Sequence, residues 1–221
     1  MKTRFFTVLD SDDAYMISAL EKMYNVVNEL DSSQFISATF NSCFPDGKPV
    51  GTKFPENFDG SILEMRYKFK VIGDKHSIFI SEPYKKYLVG FDYSFYKNKY
   101  APQKIFFNIY DSDGMKSRFV NEPVRIYYQD LDDISSMSKD RAKKSSYFGL
   151  REGHLSFLNS YGSQLYNYPS ALIRNLTGYQ FYSIANKKGF SEIIKDLKHF
   201  KLKATLLYPI VFVYTRFKRL S

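Results

Sequence analysis

Residues 61 to 72 read Ser61-Ile62-Leu63-Glu64-Met65-Arg66-Tyr67-Lys68-Phe69-Lys70-Val71-Ile72. The odd positions from Leu63 to Val71 are apolar, and Glu64, Arg66, Lys68 and Lys70 hold the even ones. A period of two puts successive side chains on opposite faces of an extended chain, so the run predicts a strand with one buried and one basic face. Towards the N-terminus, Thr3 to Leu9 is also β-like. Asp10 to Asp13 then predicts a helix start with Ser11 as N-cap and acids in the first turn. Met16, Leu20, Met23, Val27 and Leu30 recur at helical spacing as one apolar stripe, closed by Asp31, Ser32 and Ser33. Phe35 to Phe40 predicts a second strand, and Ser81-Glu82-Pro83 opens a short helix that Gly90 closes. Up to Gly90 the order is β-α-β, loop, β, α, an α+β unit of ferredoxin-like character.

Beyond Gly90, Lys104 to Tyr110 and Val124 to Tyr128 read as strands, the first followed by the turn Asp111-Ser112-Asp113-Gly114. Tyr179 to Ala185 and Lys203 to Tyr214 also read as strands, with a helix from Ser191, its cap, to Phe200 between them. Asp130 to Ser146 is polar and ends in Lys139, Arg141, Lys143 and Lys144, a basic helix or a loop. With no repeat and no obvious linker, the expected organisation is a ferredoxin-like domain over residues 1–100 and a second, closely packed α+β region over 101–221.

Composition narrows the function classes. With 221 residues, 44% of them hydrophobic, the chain can bury a core. Cys43 stands alone, which excludes a disulfide scaffold, an iron–sulfur cluster and a Cys-built zinc site. A reducing, cytoplasmic setting is therefore expected. The apolar run Phe5 to Leu9 is too short for a signal peptide, so export is not expected. Ala204 to Tyr214 falls short of the roughly 20 residues a bilayer requires, so no membrane partner is expected. The net charge of +9 is unevenly placed. Residues 1–60 carry five basic groups against nine acidic ones, whereas 182–221 carry nine basic groups against only Glu192 and Asp196. Such a field suits a polyanion partner; the plainer alternative is a protein that is simply basic. Nineteen Tyr and twenty-one Phe with no Trp supply rings that can stack on unpaired bases where they lie beside cations. Most of them must nonetheless fill the core, and composition does not choose between RNA and DNA.

No dinucleotide, P-loop, zincin or nucleophile-elbow motif occurs, which argues against a nucleotide-dependent enzyme of a common class. The acidic clusters Asp10/Asp12/Asp13, Asp111/Asp113 and Asp130/Asp132/Asp133 are accounted for by a helix cap, a turn and a helix start. No metal and no cofactor are expected. Of the histidines His76, His154 and His199, His154 lies in Arg151-Glu152-Gly153-His154 beyond the basic stretch and is the candidate for acid–base work, the alternative being a hydrogen-bonded structural role.

One set of segments resembles a known family. Glu21-Lys22-Met23-Tyr24 in the first helix, Phe35-Ile36-Ser37-Ala38-Thr39-Phe40, Phe44-Pro45-Asp46, Leu88-Val89-Gly90-Phe91-Asp92-Tyr93 and Thr177-Gly178-Tyr179-Gln180-Phe181 are similar to segments of the subtype I-F CRISPR repeat-processing endoribonucleases. The resemblance touches about half the chain. It implies a ferredoxin-like domain joined to a second domain with a basic helix, and metal-independent cutting of a hairpin precursor RNA whose product is retained. By that resemblance Lys139, Arg141, Lys143 and Lys144 lie along the RNA, with Arg151 and Arg174 nearby, and Phe181 stacks on a base. Other CRISPR-complex proteins would be partners. The chain departs from the family at the catalytic histidine, where Tyr24 stands, and at a serine expected before Thr177, where Arg174-Asn175-Leu176 stand. Tyr24 or His154 would then move the proton. Tyr24 also has a plain structural reading, as a helix-edge ring with a wet hydroxyl. The alternative from another class is a non-enzymatic basic protein of a phage or mobile element that binds nucleic acid or an acidic protein.

Overall fold

The computed structural model describes residues 2–92, 94–97, 99–128 and 144–220, the last three by backbone alone. The chain forms two compact units, Met1–Phe91 with Asp113–Asp132, and Asp92–Ser112 with Asp133–Ser221. It is an α+β protein, as expected. The basic run from Lys139 to Lys143 lies outside the described residues.

The first unit is a mixed sheet with helices. Its elements are β1 (Phe5–Thr7), β2 (Ala14–Tyr15), α1 (Ala19–Asn28), β3 (Phe35–Cys43), β4 (Phe58–Gly60), α2 (Ile62–Tyr67), β5 (His76–Ile80), α3 (Ser81–Val89) and β6 (Lys116–Ile126). The strand order is β1-β5-β3-β6-β2, with β4 also on β6. β3 and β6 run parallel, and the other pairs are antiparallel. Met23, Val27 and Leu30 of the expected stripe are buried against Ala38, Phe40, Ile78, Ile80 and Val124, each contributing about 1.5–3 kcal/mol by leaving water. Ala19 joins them, while Leu20 turns out to solvent. The other side of β3 is polar. Ser37 pairs with Ser117 at 2.7 Å, Thr39 with Ser77 at 2.8 Å, and Asn41 donates to Asn121 at 3.1 Å. Phe54, Met65 and Phe119 build a second apolar cluster.

The sheet departs from the expected ferredoxin-like order. In that order the first strand is central, whereas β1 here is an edge and the parallel pair is β3 with β6. The strand expected over residues 61 to 72 is also absent: Ile62–Tyr67 form a short helix, and the residues after it are irregular. Ser61 caps α2 by accepting the Glu64 N–H at 3.0 Å, and Leu63 and Met65 are its buried residues. Ser61-x-x-Glu64 is half of a capping box, a local signal that outweighs the alternation of charges. The Ser11 cap is also replaced. Asp10 to Asp13 make a turn, the Asp13 N–H donating to the Asp10 carbonyl at 3.1 Å, and α1 begins after Ser18, which has φ 62°.

The second unit is helical in its described residues: α4 (Lys104–Ser112), α5 (Tyr147–Tyr161), α6 (Pro169–Ala185), α7 (Phe190–Asp196) and α8 (Lys201–Leu220). The α5 helix packs on α4 and α6, and α8 packs on α6. Three predicted strands are therefore helices. In α4, Ile105, Asn108 and Asp111 are buried three residues apart. In α6, Ala171, Leu172, Asn175, Leu176, Tyr179, Gln180, Ser183 and Ile184 make a complete helical stripe. The polar members of both stripes concealed their period from a count of apolar residues. Two of them are held by hydrogen bonds: the Tyr161 hydroxyl donates to Asp111 at 2.6 Å, and the Gln180 amide to the Ala204 carbonyl at 2.6 Å. The expected strand Lys203 to Tyr214 lies within α8, which buries Ala204, Val211 and Thr215. The α7 helix is capped at Gly189, whose N–H donates to the Glu192 carboxylate at 2.9 Å, rather than at Ser191.

Candidate nucleic-acid interface

Tyr147 and His154 stand seven residues apart on α5, and Arg174 and Phe181 seven apart on α6. Seven residues are close to two turns, so each pair shares one helix face. Where the two faces meet, Tyr182 joins them. Its ring lies 5.3 Å from Tyr147 and stacks at 5.8 Å on His154. Phe181 continues the cluster, 5.1 Å from Tyr182, 6.5 Å from Tyr147 and 6.0 Å from Tyr214 on α8. The rings of Tyr147, Phe181 and Tyr182 are half-buried and Tyr214 is exposed. Lys144 is exposed in the 3-10 turn Lys144–Ser146 that leads into α5, and Arg174 is exposed on α6. Burial pushes the Tyr182 hydroxyl pKa up, with Tyr147 adding to the shift.

His154 is a packed member of this face. The Asn175 side chain donates its amide to the Ala171 carbonyl at 2.8 Å, which leaves its oxygen to meet His154 Nδ1 at 2.8 Å. That oxygen can only accept, so Nδ1 carries the proton and Nε2 the lone pair. Burial above all, then the charge of Lys104 and more weakly that of Arg174, lowers the His154 pKa to about 4 against the opposing Asn175 bond. Gly178 makes the approach possible, because a Cβ there would stand 2.5 Å from Nε2.

The other expected site residues separate. Arg151, on α5 close to His154, is buried and turned into the unit. It donates to Glu152 and Asp196, and to Ser183 Oγ at 3.2 Å, and lies over the Tyr179 ring. Burial pushes the Glu152 carboxyl pKa up and the Tyr179 hydroxyl up to about 12. An arginine held by two carboxylates is committed to the fold. Tyr24 lies on α1 of the first unit, half exposed, with its ring edge-on to Phe5 at 5.8 Å. The first unit holds its own buried polar group. Arg125 bridges Asp13 at 3.0 Å and Asp74 at 3.4 Å and donates to Ser42. Beside it, His76 Nε2 meets Thr7 Oγ1 at 2.8 Å and the Tyr15 hydroxyl at 3.2 Å. Burial, then the Arg125 charge, lowers the His76 pKa to about 4. Asp10 and Asp13 therefore face an arginine in this structure.

Of the residues named from the sequence, His154, Arg174 and Phe181 lie on this face; Tyr147, Tyr182 and Tyr214, which were not named, join them there. The i, i+7 spacing of Tyr147 and His154 was the available signal, and reading α6 as a strand hid the matching pair. Comparison of the chain with protein-family profiles, curated proteins and solved structures returns no match.

Proposed function

We propose that the second unit binds RNA along the α5–α6 face and holds a structured RNA, such as a hairpin, without cutting it. The observation that carries this reading is the cluster of partly exposed rings from three helices, Tyr147, Phe181, Tyr182 and Tyr214, with the exposed cations Lys144, three residues before Tyr147, and Arg174, on the Phe181 face of α6. Rings offer stacking surfaces to unpaired bases, which duplexes do not present, while cations hold phosphates without regard to sequence. The resemblance to CRISPR repeat-processing proteins supports the same partner. Holding is favoured over cutting because a histidine whose pKa lies near 4, packed against Gly178 and Tyr182, is a weak base at neutral pH.

Fluorescence anisotropy with a labelled hairpin RNA and duplex DNA of equal length tests the reading. Phe181→Ala should weaken hairpin binding by about 1–3 kcal/mol. Arg174→Ala should lower the slope of log affinity against log salt by about 1. Equal affinity for both nucleic acids, unchanged by Phe181→Ala, would reduce the face to general basic attraction. The RNA should leave the complex intact with or without Mg²⁺; cleavage abolished by His154→Ala would overturn the holding role.

A further inference from the structure

The α8 helix carries two apolar rows on opposite sides. Ala204, Val211 and Thr215 are buried. Leu202, Leu206, Ile210, Val213 and Phe217 form the opposite row and lie in solvent, Leu206 at 70%, Ile210 at 69% and Phe217 at 70% exposure. From Leu206 to Phe217 the spacing is four, three and four residues, the seam spacing with which one helix receives another. The row also borders a concavity. Leu206 and Ile210, with Leu207, face Leu165, Leu172, Ile173 and Leu176 across an open groove of about 390 Å³ between α6 and α8, and Ile173 on its far wall is itself exposed. A continuous exposed apolar surface of this kind marks an interaction site.

Charge selects the occupant. From Leu197 to Ser221 the sequence has Lys198, Lys201, Lys203, Arg216, Lys218 and Arg219 and no Asp or Glu. On α8 Lys203 is itself part of the groove wall, and Arg216 is exposed beside the Phe217 end of the row. A second copy of the chain, packed through the same helix, would bring the same run of cations without acidic residues to the contact. A lipid surface would meet the exposed ridge of α8 but would not follow the groove floor formed by Leu165, Leu172 and Leu176. We propose that the α6–α8 groove and the exposed α8 row dock an acidic amphipathic helix of another protein, its apolar side chains in the groove and its carboxylates against Lys203 and Arg216. This surface does not depend on the RNA-binding reading.

The test uses the full chain and a synthetic helical peptide of about three heptads with Leu at a and d and Glu at e and g. The control peptide carries Lys in place of every Glu. The Glu peptide should bind and the Lys peptide should not, with Leu206→Asp/Ile210→Asp weakening the Glu peptide at least about tenfold. Lys203→Glu/Arg216→Glu should weaken it as well while leaving the apolar row intact. Both variants change exposed positions, and an unaltered circular-dichroism melt verifies their fold. Equal binding of both peptides, or binding unaffected by Leu206→Asp/Ile210→Asp, overturns the proposal. So does preferential binding to phosphatidylserine vesicles, or self-association that Leu206→Asp/Ile210→Asp abolishes while the Glu peptide stays unbound.

Discussion

At the residue scale, the contact between His154 and Gly178 makes a coupled prediction. A methyl group at position 178 would fall 2.5 Å from His154 Nε2, so Gly178→Ala should destabilise the second unit by about 1–3 kcal/mol. Replacing the histidine as well removes the obstacle. The double variant Gly178→Ala/His154→Ala should therefore lose less than the sum of the two single losses, which a double-mutant cycle in urea would measure. His76 and His154 also set a pH dependence. Both pKa values fall from an ordinary 6.5 to about 4 in the folded chain, so the unfolded state binds protons first as pH drops. Stability from these two groups is complete above pH 6.5, declines between 6.5 and 4 and levels below that, each group removing up to about 2–3 kcal/mol. Urea unfolding at several pH values should show this decline, and His76→Gln and His154→Gln should each flatten it. Neither effect was legible in the sequence, which set His154 apart by its place after the basic stretch but gave no sign that His76 and His154 are buried. Burial distinguishes His76 and His154, and burial is set by residues far away along the chain.

At the element scale, α8 shows how pattern and structure separate. Its apolar run reads as a strand because one apolar row faces α6 and another faces solvent, so the two together fill the helix circumference and erase the 3.6-residue period. Pro209 lies inside the helix, where it supplies no N–H and crowds the carbonyl four residues earlier. Pro209→Ala should stabilise the second unit by about 1–3 kcal/mol, read as a higher midpoint in a thermal melt. The α2 helix makes the converse case. Alternating charges suggested a strand, yet the Ser61 cap and Glu64 hold one short helix whose apolar residues pack with Phe54 and Phe119. By contrast α1 and α3 were legible: α1 through its one-sided stripe, α3 through the signals Ser81-Glu82-Pro83 and Gly90 that bound it.

At the scale of the whole chain, each unit is built from two separate stretches. β6, from beyond residue 112, pairs with β3 along most of its length and also with β2 and β4. A fragment of residues 1–100 therefore lacks the strand that organises half of its sheet. It should fail to give a cooperative melt, whereas a cut at residue 100 would be harmless if the first unit were continuous. Circular dichroism and amide-proton dispersion of the fragment would decide this.

Read alone, the sequence determined the α+β class, the α1 stripe, the strands around Phe5, Phe35 and Val124, and the basic end of the chain. These follow from local periodicity, caps and composition, which act over a few residues. Tertiary structure decided the helical state of residues 104–112, 169–185 and 201–220, the β3–β6 pairing, and the joining of Tyr147, His154, Arg174, Phe181 and Tyr182 on one face. It also turned Arg151 inward to Glu152 and Asp196. Those outcomes depend on which polar side chains find buried partners, and those partners stand far along the chain, 50 residues apart for Tyr161 and Asp111 and 80 for Ser37 and Ser117.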